Sequence, residues 1–146
     1  MQTLFAPQPS GKTPSSASQG YRCWLILGSL NAALAVALGA MASHALKNLL
    51  AENQTQHWFA LALQYHQWHA LGLILIGILA KLLPAKKMLH VSGALMLLGV
   101  VLFCGLLYLR SVGVVGIWHG LIPVGGASLI AAWLVLMVAA WRGSGD

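Results

Sequence analysis

Acidic side chains are nearly missing from this chain. In 146 residues there are two, Glu52 and Asp146, against eight Lys and Arg. Neither lies inside an apolar stretch. That absence excludes several kinds of chemistry. Ion-coupled transporters and proton pumps rely on carboxylates buried in the membrane. Carboxylate-bridged metal sites and paired acid/base catalysts need more than one. A Ser-His-Asp arrangement would have only Glu52, in a loop, to orient its histidine. No enzymatic activity is expected. Cysteine is scarce too. Cys23 opens the first apolar run and Cys104 lies in the third. They are expected near opposite ends of their helices, too far apart for a disulfide, and two cysteines do not make a metal site. Charge of either sign amounts to 7% of residues, where a soluble domain carries about a quarter.

What is present is hydrocarbon. The chain is 59% hydrophobic, with a mean hydropathy of +0.80. Its length suits one domain. The net charge of +6 does not point to nucleic acid, because the basic residues sit at the ends of apolar runs, where Lys and Arg anchor membrane helices. Residues 1–20 are rich in Pro, Ser, Gln and Gly and are expected to form a disordered tail. They hold no apolar stretch of the kind found in a signal peptide.

Four helices are predicted beyond the tail, over about 23–43, 56–83, 87–109 and 119–141, within a single domain spanning 21–146. Each offers about 19 or more residues without formal charge, enough for a bilayer core of about 30 Å. Asn53 or Thr55 is placed to cap the second. The fold class is thus all-α, an integral membrane four-helix bundle. Lys12, Arg22, Lys81, Lys86, Lys87 and Arg142 fall on one side of the membrane, and Lys47 and Arg110 on the other. That bias predicts a multi-pass inner (plasma) membrane protein with both termini cytoplasmic. Trp24, Trp58, Trp118 and Trp141 lie near helix ends, as interface anchors do.

Small residues predict close packing. Gly28, Ala32, Ala35, Gly39 and Ser43 recur at three or four residues in helix one; Gly93, Gly99 and Gly105 lie in helix three; Gly125 and Gly126 follow Pro123 in helix four. The lipid bilayer is one partner, and a homo-oligomer or a larger membrane complex is another.

The residues able to carry chemistry are mostly histidines. Tyr65, Trp68 and His69 share a face of helix two, and His66 neighbours His69. Tracking depth along alternating helices puts His44, Tyr65, His66, His69, Gly105, Tyr108, His119 and Pro123 in the outer half, with Asn31 alone among polar residues in the inner half. An outward-facing pocket would account for this, and so would a polar network that locks the bundle. A bis-histidine haem on His44 and His69 is disfavoured, because their depths differ by about 12 Å. No cofactor and no metal site is expected.

At these residues the sequence resembles the YgdD-like family of small bacterial inner-membrane proteins, a domain of unknown function. The likeness runs from about Leu27 to Trp141. It rests on Ala37-Leu38-Gly39-Ala40-Met41-Ala42-Ser43-His44-Ala45-Leu46, on Tyr65-His66-Gln67-Trp68-His69-Ala70-Leu71, on Leu102-Phe103-Cys104-Gly105-Leu106-Leu107-Tyr108, and on Ile122-Pro123-Val124-Gly125-Gly126 with Ala131-Ala132-Trp133. The chain departs from the family at Ala42, His66, Cys104, Leu106 and Ile122, which removes several hydroxyls, while His44, Tyr65, His69 and Tyr108 match. The resemblance implies four helices in the inner membrane and no established activity. The expected role is a non-enzymatic accessory, assembly or structural membrane component. The alternatives are a small-molecule or metal binding or transport protein using the His/Tyr pocket, and a redox subunit touching a quinone through His69.

Overall fold

The computed structural model describes residues 16–84, 86–114, 116 and 120–143. Five helices follow in order: α1 Ser16–Ser43, α2 Lys47–Glu52, α3 Gln56–Leu82, α4 Lys86–Ser111 and α5 Ile122–Gly143. Among the described residues there is no strand. Within α4, Val100–Gly105 is wound as π-helix between α-helical flanks. Residues 1–15 of the predicted tail lie outside the described residues, and 16–20 continue α1. The short α2 was not expected: six residues carry no readable periodicity. Its one buried side chain, Leu50, is what ties it down.

The helix ends obey local chemistry. Leu83 is extended, with ψ 149°, as a residue before Pro84 should be. Pro123 falls in the first turn of α5, where its missing N–H breaks no helical bond. Thr55 precedes α3 but does not cap it by a side-chain bond. Its hydroxyl instead donates to the Ser111 carbonyl at 2.7 Å, satisfying the end of α4.

Helices α1, α4 and α5 are long and apolar enough to cross a membrane by length and composition. Helix α3 has 27 residues, about 40 Å at 1.5 Å per residue, but its histidines and glutamines make it less apolar. It runs antiparallel beside α1 over most of its length. A Cβ on Gly28 would lie 2.8 Å from the Ile74 nitrogen, one on Gly77 would lie 3.0 Å from the Leu25 nitrogen, and one on Gly39 would meet Leu63 at 3.3 Å. Glycine is required at the first two positions because backbone, not a movable side chain, fills the space. By this contact α3 shares the membrane span of α1.

Helices α3, α4 and α5 build the core. Leu73, Ile76 and Ala80 pack with Leu89 and Met96 and with Ala132, Leu136 and Ala139. A second cluster joins Ala62, Val100, Cys104, Leu107 and Leu129. The α4–α5 crossing is tightest at Gly99 and Gly125, where a Cβ on Gly125 would sit 2.5 Å from the Phe103 nitrogen. Ser92 and Ser128 clamp the same pair, donating to the carbonyls of Ala132 and Leu95 at 2.7 Å each. Such interhelical bonds average about 0.6 kcal/mol in a membrane. Trp24 is more than an interface anchor: it fills the space over Gly93 and donates its indole N–H to His90 at 2.7 Å, joining α1 to α4. Trp118 lies outside the described residues.

Candidate functional site

Helix α3 places two histidines one turn apart inside the bundle, His66 and His69, 3% and 5% exposed. Their hydrogen bonds fix the proton positions. The Asn31 amide nitrogen donates to the Leu27 carbonyl at 2.8 Å, so the Asn31 carbonyl oxygen is the atom facing His66 at 3.1 Å. That oxygen only accepts, so His66 carries its proton on Nε2. Its Nδ1 then accepts from the Tyr108 hydroxyl, 3.3 Å away. His69 has the opposite arrangement. Its Nδ1 lies 2.6 Å from the Tyr65 carbonyl, which must accept. Its Nε2 receives the Trp133 indole N–H at 3.1 Å. Two neutral imidazoles in opposite tautomers therefore tie together α1, α3, α4 and α5. Among the described residues, no buried side-chain nitrogen or oxygen lacks a partner. In a bilayer core, where water supplies no bonds, this is what stability demands.

Beside His69 lies a groove of about 500 Å³ between α3 and α5, with Phe103 of the π-helical segment contributed by α4. Gln64, Tyr65, Trp68 and Trp133 line it with Gly126, Leu129 and Ile130. The Tyr65 ring stacks over His69, with centroids 5.9 Å apart, and meets Phe103 at 5.0 Å. A second groove, of about 400 Å³, runs along the other side of Trp68 between α1 and α3, and includes Ala32 and Gln67.

The sequence-based candidates divide accordingly. Tyr65 and His69 share the groove wall, and His66 and Tyr108 share a bond. His44 is exposed in the turn after α1 and joins neither group. His119 lies outside the described residues. Asn31 is not set apart in another half of the bundle; it is the partner of His66. Gly126 borders the groove, and a Cβ there would touch Phe103 at an ordinary 3.6 Å. Gly105 does not pack against a neighbour, since a Cβ would meet nothing within 4 Å. Pro123 is exposed. Trp133, which supplies a bond to His69 and a wall of the groove, had no assigned role in the sequence reading. Its one signal was its place in the Ala131-Ala132-Trp133 motif. Among the described residues, no group of three or more His, Cys, Asp or Glu is placed to hold a metal.

Comparison with known proteins gives a consistent picture. Residues 38–126 match the family described as Protein of unknown function (DUF423). The chain is 40% identical to the UPF0382 membrane protein YwdK of Bacillus subtilis over 119 residues, covering 82% of this chain and 96% of that protein. A UPF0382 membrane protein of Staphylococcus epidermidis is 34% identical over 124 residues, 85% and 99% of the two chains. The UPF0382 inner membrane protein YgdD of Escherichia coli K12 is 30% identical over 121 residues, 83% and 91%. No solved structure matches at a significant level.

Proposed function

The chain belongs to the DUF423 family of membrane proteins, and from that premise we propose that it is a non-enzymatic membrane component that acts by association within the bilayer. One observation carries this reading. All four ring nitrogens of the buried histidines are engaged inside the bundle. The imidazole lone pairs that a metal, a quinone proton or a nucleophile would need are already bonded to Tyr108 and Trp133. The polar centre is a lock, and the working surface is the outside of the helices. The lysines flanking the loop between α3 and α4 support an orientation with both termini in the cytoplasm and the α2 side facing out. Thiol labelling of intact cells separates the two orientations: a cysteine replacing Asn48 is labelled from outside under this one, and a cysteine replacing Lys87 is not.

The groove beside His69 favours a second reading, a small amphipathic molecule seated against Tyr65, Trp68 and Trp133. His69→Leu distinguishes the two. Under the first reading it removes the acceptor of Trp133, costs about 0.6–2 kcal/mol of stability, and changes nothing that co-purifies with the protein. Denaturation in detergent, with mass spectrometry of bound metals and small molecules, reads both. A stoichiometric ligand in the wild type that is lost in His69→Leu would overturn the first reading in favour of the second.

A further inference from the structure

The described helices present mostly hydrocarbon to lipid. Exposed α4 and α5 positions away from their ends include Val91, Leu98, Val101, Ile130, Leu134 and Met137. Helix α3 is different. Its open face, between α1 and α5, carries Gln64, Trp68, Leu71, Leu75, Ile78 and Leu82, all exposed. Gln67 flanks this stripe on the α1 side and is exposed too. Neither glutamine makes a hydrogen bond with any described residue. Gly39 contacts Leu63, which sets the level: Gln67 and the Trp68 indole lie about 12 Å inside the end of α1, at 1.5 Å per residue. Amide groups at that depth have no water to bond, and a carboxamide cannot satisfy two N–H donors on its own helix. In a membrane, this draws helices together.

We propose that this face of α3 is a self-association surface, and that a second copy of the chain lies against it in the same orientation. The inference rests on the reading that the protein works by association, and it names the partner. Several features favour a second copy over a different protein. A carboxamide both donates and accepts, so a two-fold axis that sets Gln64 against its counterpart satisfies both. The stripe itself carries no formal charge, so two copies do not repel and no counter-charge is called for. Two copies inserted with the same topology also bring polar level to polar level without adjustment. Finally, the face holds both a knob and a hole. Trp68 stands 64% exposed, and the aromatic groove of about 500 Å³ lies next to it. Under two-fold symmetry each Trp68 enters the groove of the other copy.

Disulfide scanning of the full chain in native membranes tests this. In a Cys23→Ser background, with Cys104 left buried, single cysteines replace Trp68, Leu71 and Leu75 on the stripe, and Leu30 and Leu134 on the lipid faces of α1 and α5. Oxidation should yield cross-linked dimers at the stripe positions and few at Leu30 or Leu134. Copy counting of single molecules in bilayers should find pairs for the wild type. Gln64→Leu with Gln67→Leu should weaken pairing by about tenfold, the loss of one or two membrane hydrogen bonds. Equal cross-linking at Leu71 and Leu134, or one copy per particle for the wild type, would overturn the proposal. Neither readout involves a ligand, so failure here is distinct from the ligand outcome of His69→Leu. A monomer with no ligand defeats only the pairing; a ligand-bearing dimer defeats only the non-enzymatic reading.

Discussion

Asn31 shows how much one residue can organise. Its carboxamide donates to its own helix at Leu27 and accepts from His66 on α3, and His66 in turn accepts from Tyr108 on α4. The direction of every bond follows from one end of the chain, because a backbone carbonyl cannot donate. Asn31→Leu leaves the Nε2 proton of His66 without an acceptor. A double-mutant cycle with His66→Leu should then return a coupling of about 0.6–1.7 kcal/mol, read by unfolding in detergent. A coupling near zero would mean that the bond contributes no stability. The opposite tautomers of His66 and His69 have a spectroscopic test as well. In the ¹⁵N spectrum of the imidazoles, the protonated nitrogen should be Nε2 in one residue and Nδ1 in the other. The histidine cluster of α3 was legible in the sequence, as was its inward face. The partners were not. Counting residues places Cα levels at 1.5 Å each, whereas the Asn31–His66 bond forms at the tips of two side chains. That is why depth counting put Asn31 in the wrong half.

At the scale of the helices, uncharged runs long enough to cross a bilayer located the membrane segments well, because length and apolarity are constraints that lipid imposes directly. The glycine pattern was legible only in part. Spacing alone cannot distinguish Gly125, pressed against the backbone of Phe103, from Gly105, which faces open space. The two should respond differently to the same change. Gly125→Ala forces α4 and α5 apart and should cost about 1–3 kcal/mol. Gly105→Ala should stay within about 0.5 kcal/mol of the wild type. Thermal unfolding of both variants in one detergent is the check, and equal losses would contradict the crossing described. The start of α1 was misjudged because Ser, Ala and Gln at 16–19 are polar without being helix breakers. Polarity ended the readable membrane span there, but not the helix.

For the whole molecule, the division of labour is a three-helix core with α1 laid along α3. The core holds through packed side chains and the Ser92 and Ser128 clamps. The α1 seam holds through close backbone approach at Gly28 and Gly77, the Asn31–His66 bond and the Trp24–His90 bond. These contacts do not depend on the loop that joins the two parts. Cutting the chain between residues 44 and 54 should therefore leave α1 bound to the remainder, as separately stable membrane helices permit. Co-purification of the two fragments would show it, and Gly28→Leu in the cut chain should release α1. The open face of α3 belongs to this scale too. Its glutamines were visible in the sequence, but only the arrangement of α1 and α5 shows that nothing in the same chain covers them.

The π-helical segment of α4 has a consequence for how this chain tolerates change in length. A stretch bonded five residues apart holds about one residue more than a regular turn. Val100–Gly105 can thus be regarded as an insertion that the helix absorbed without breaking. Removing one residue there would let α4 close into an unbroken α-helix, so the fold would survive. Everything beyond the deletion would rotate by about 100°, swinging the Tyr108 hydroxyl away from His66 and Ser111 away from the Thr55 hydroxyl. One codon in this segment therefore sets which face α4 turns inward, and a shortened chain would keep its helices while losing the register that joins them.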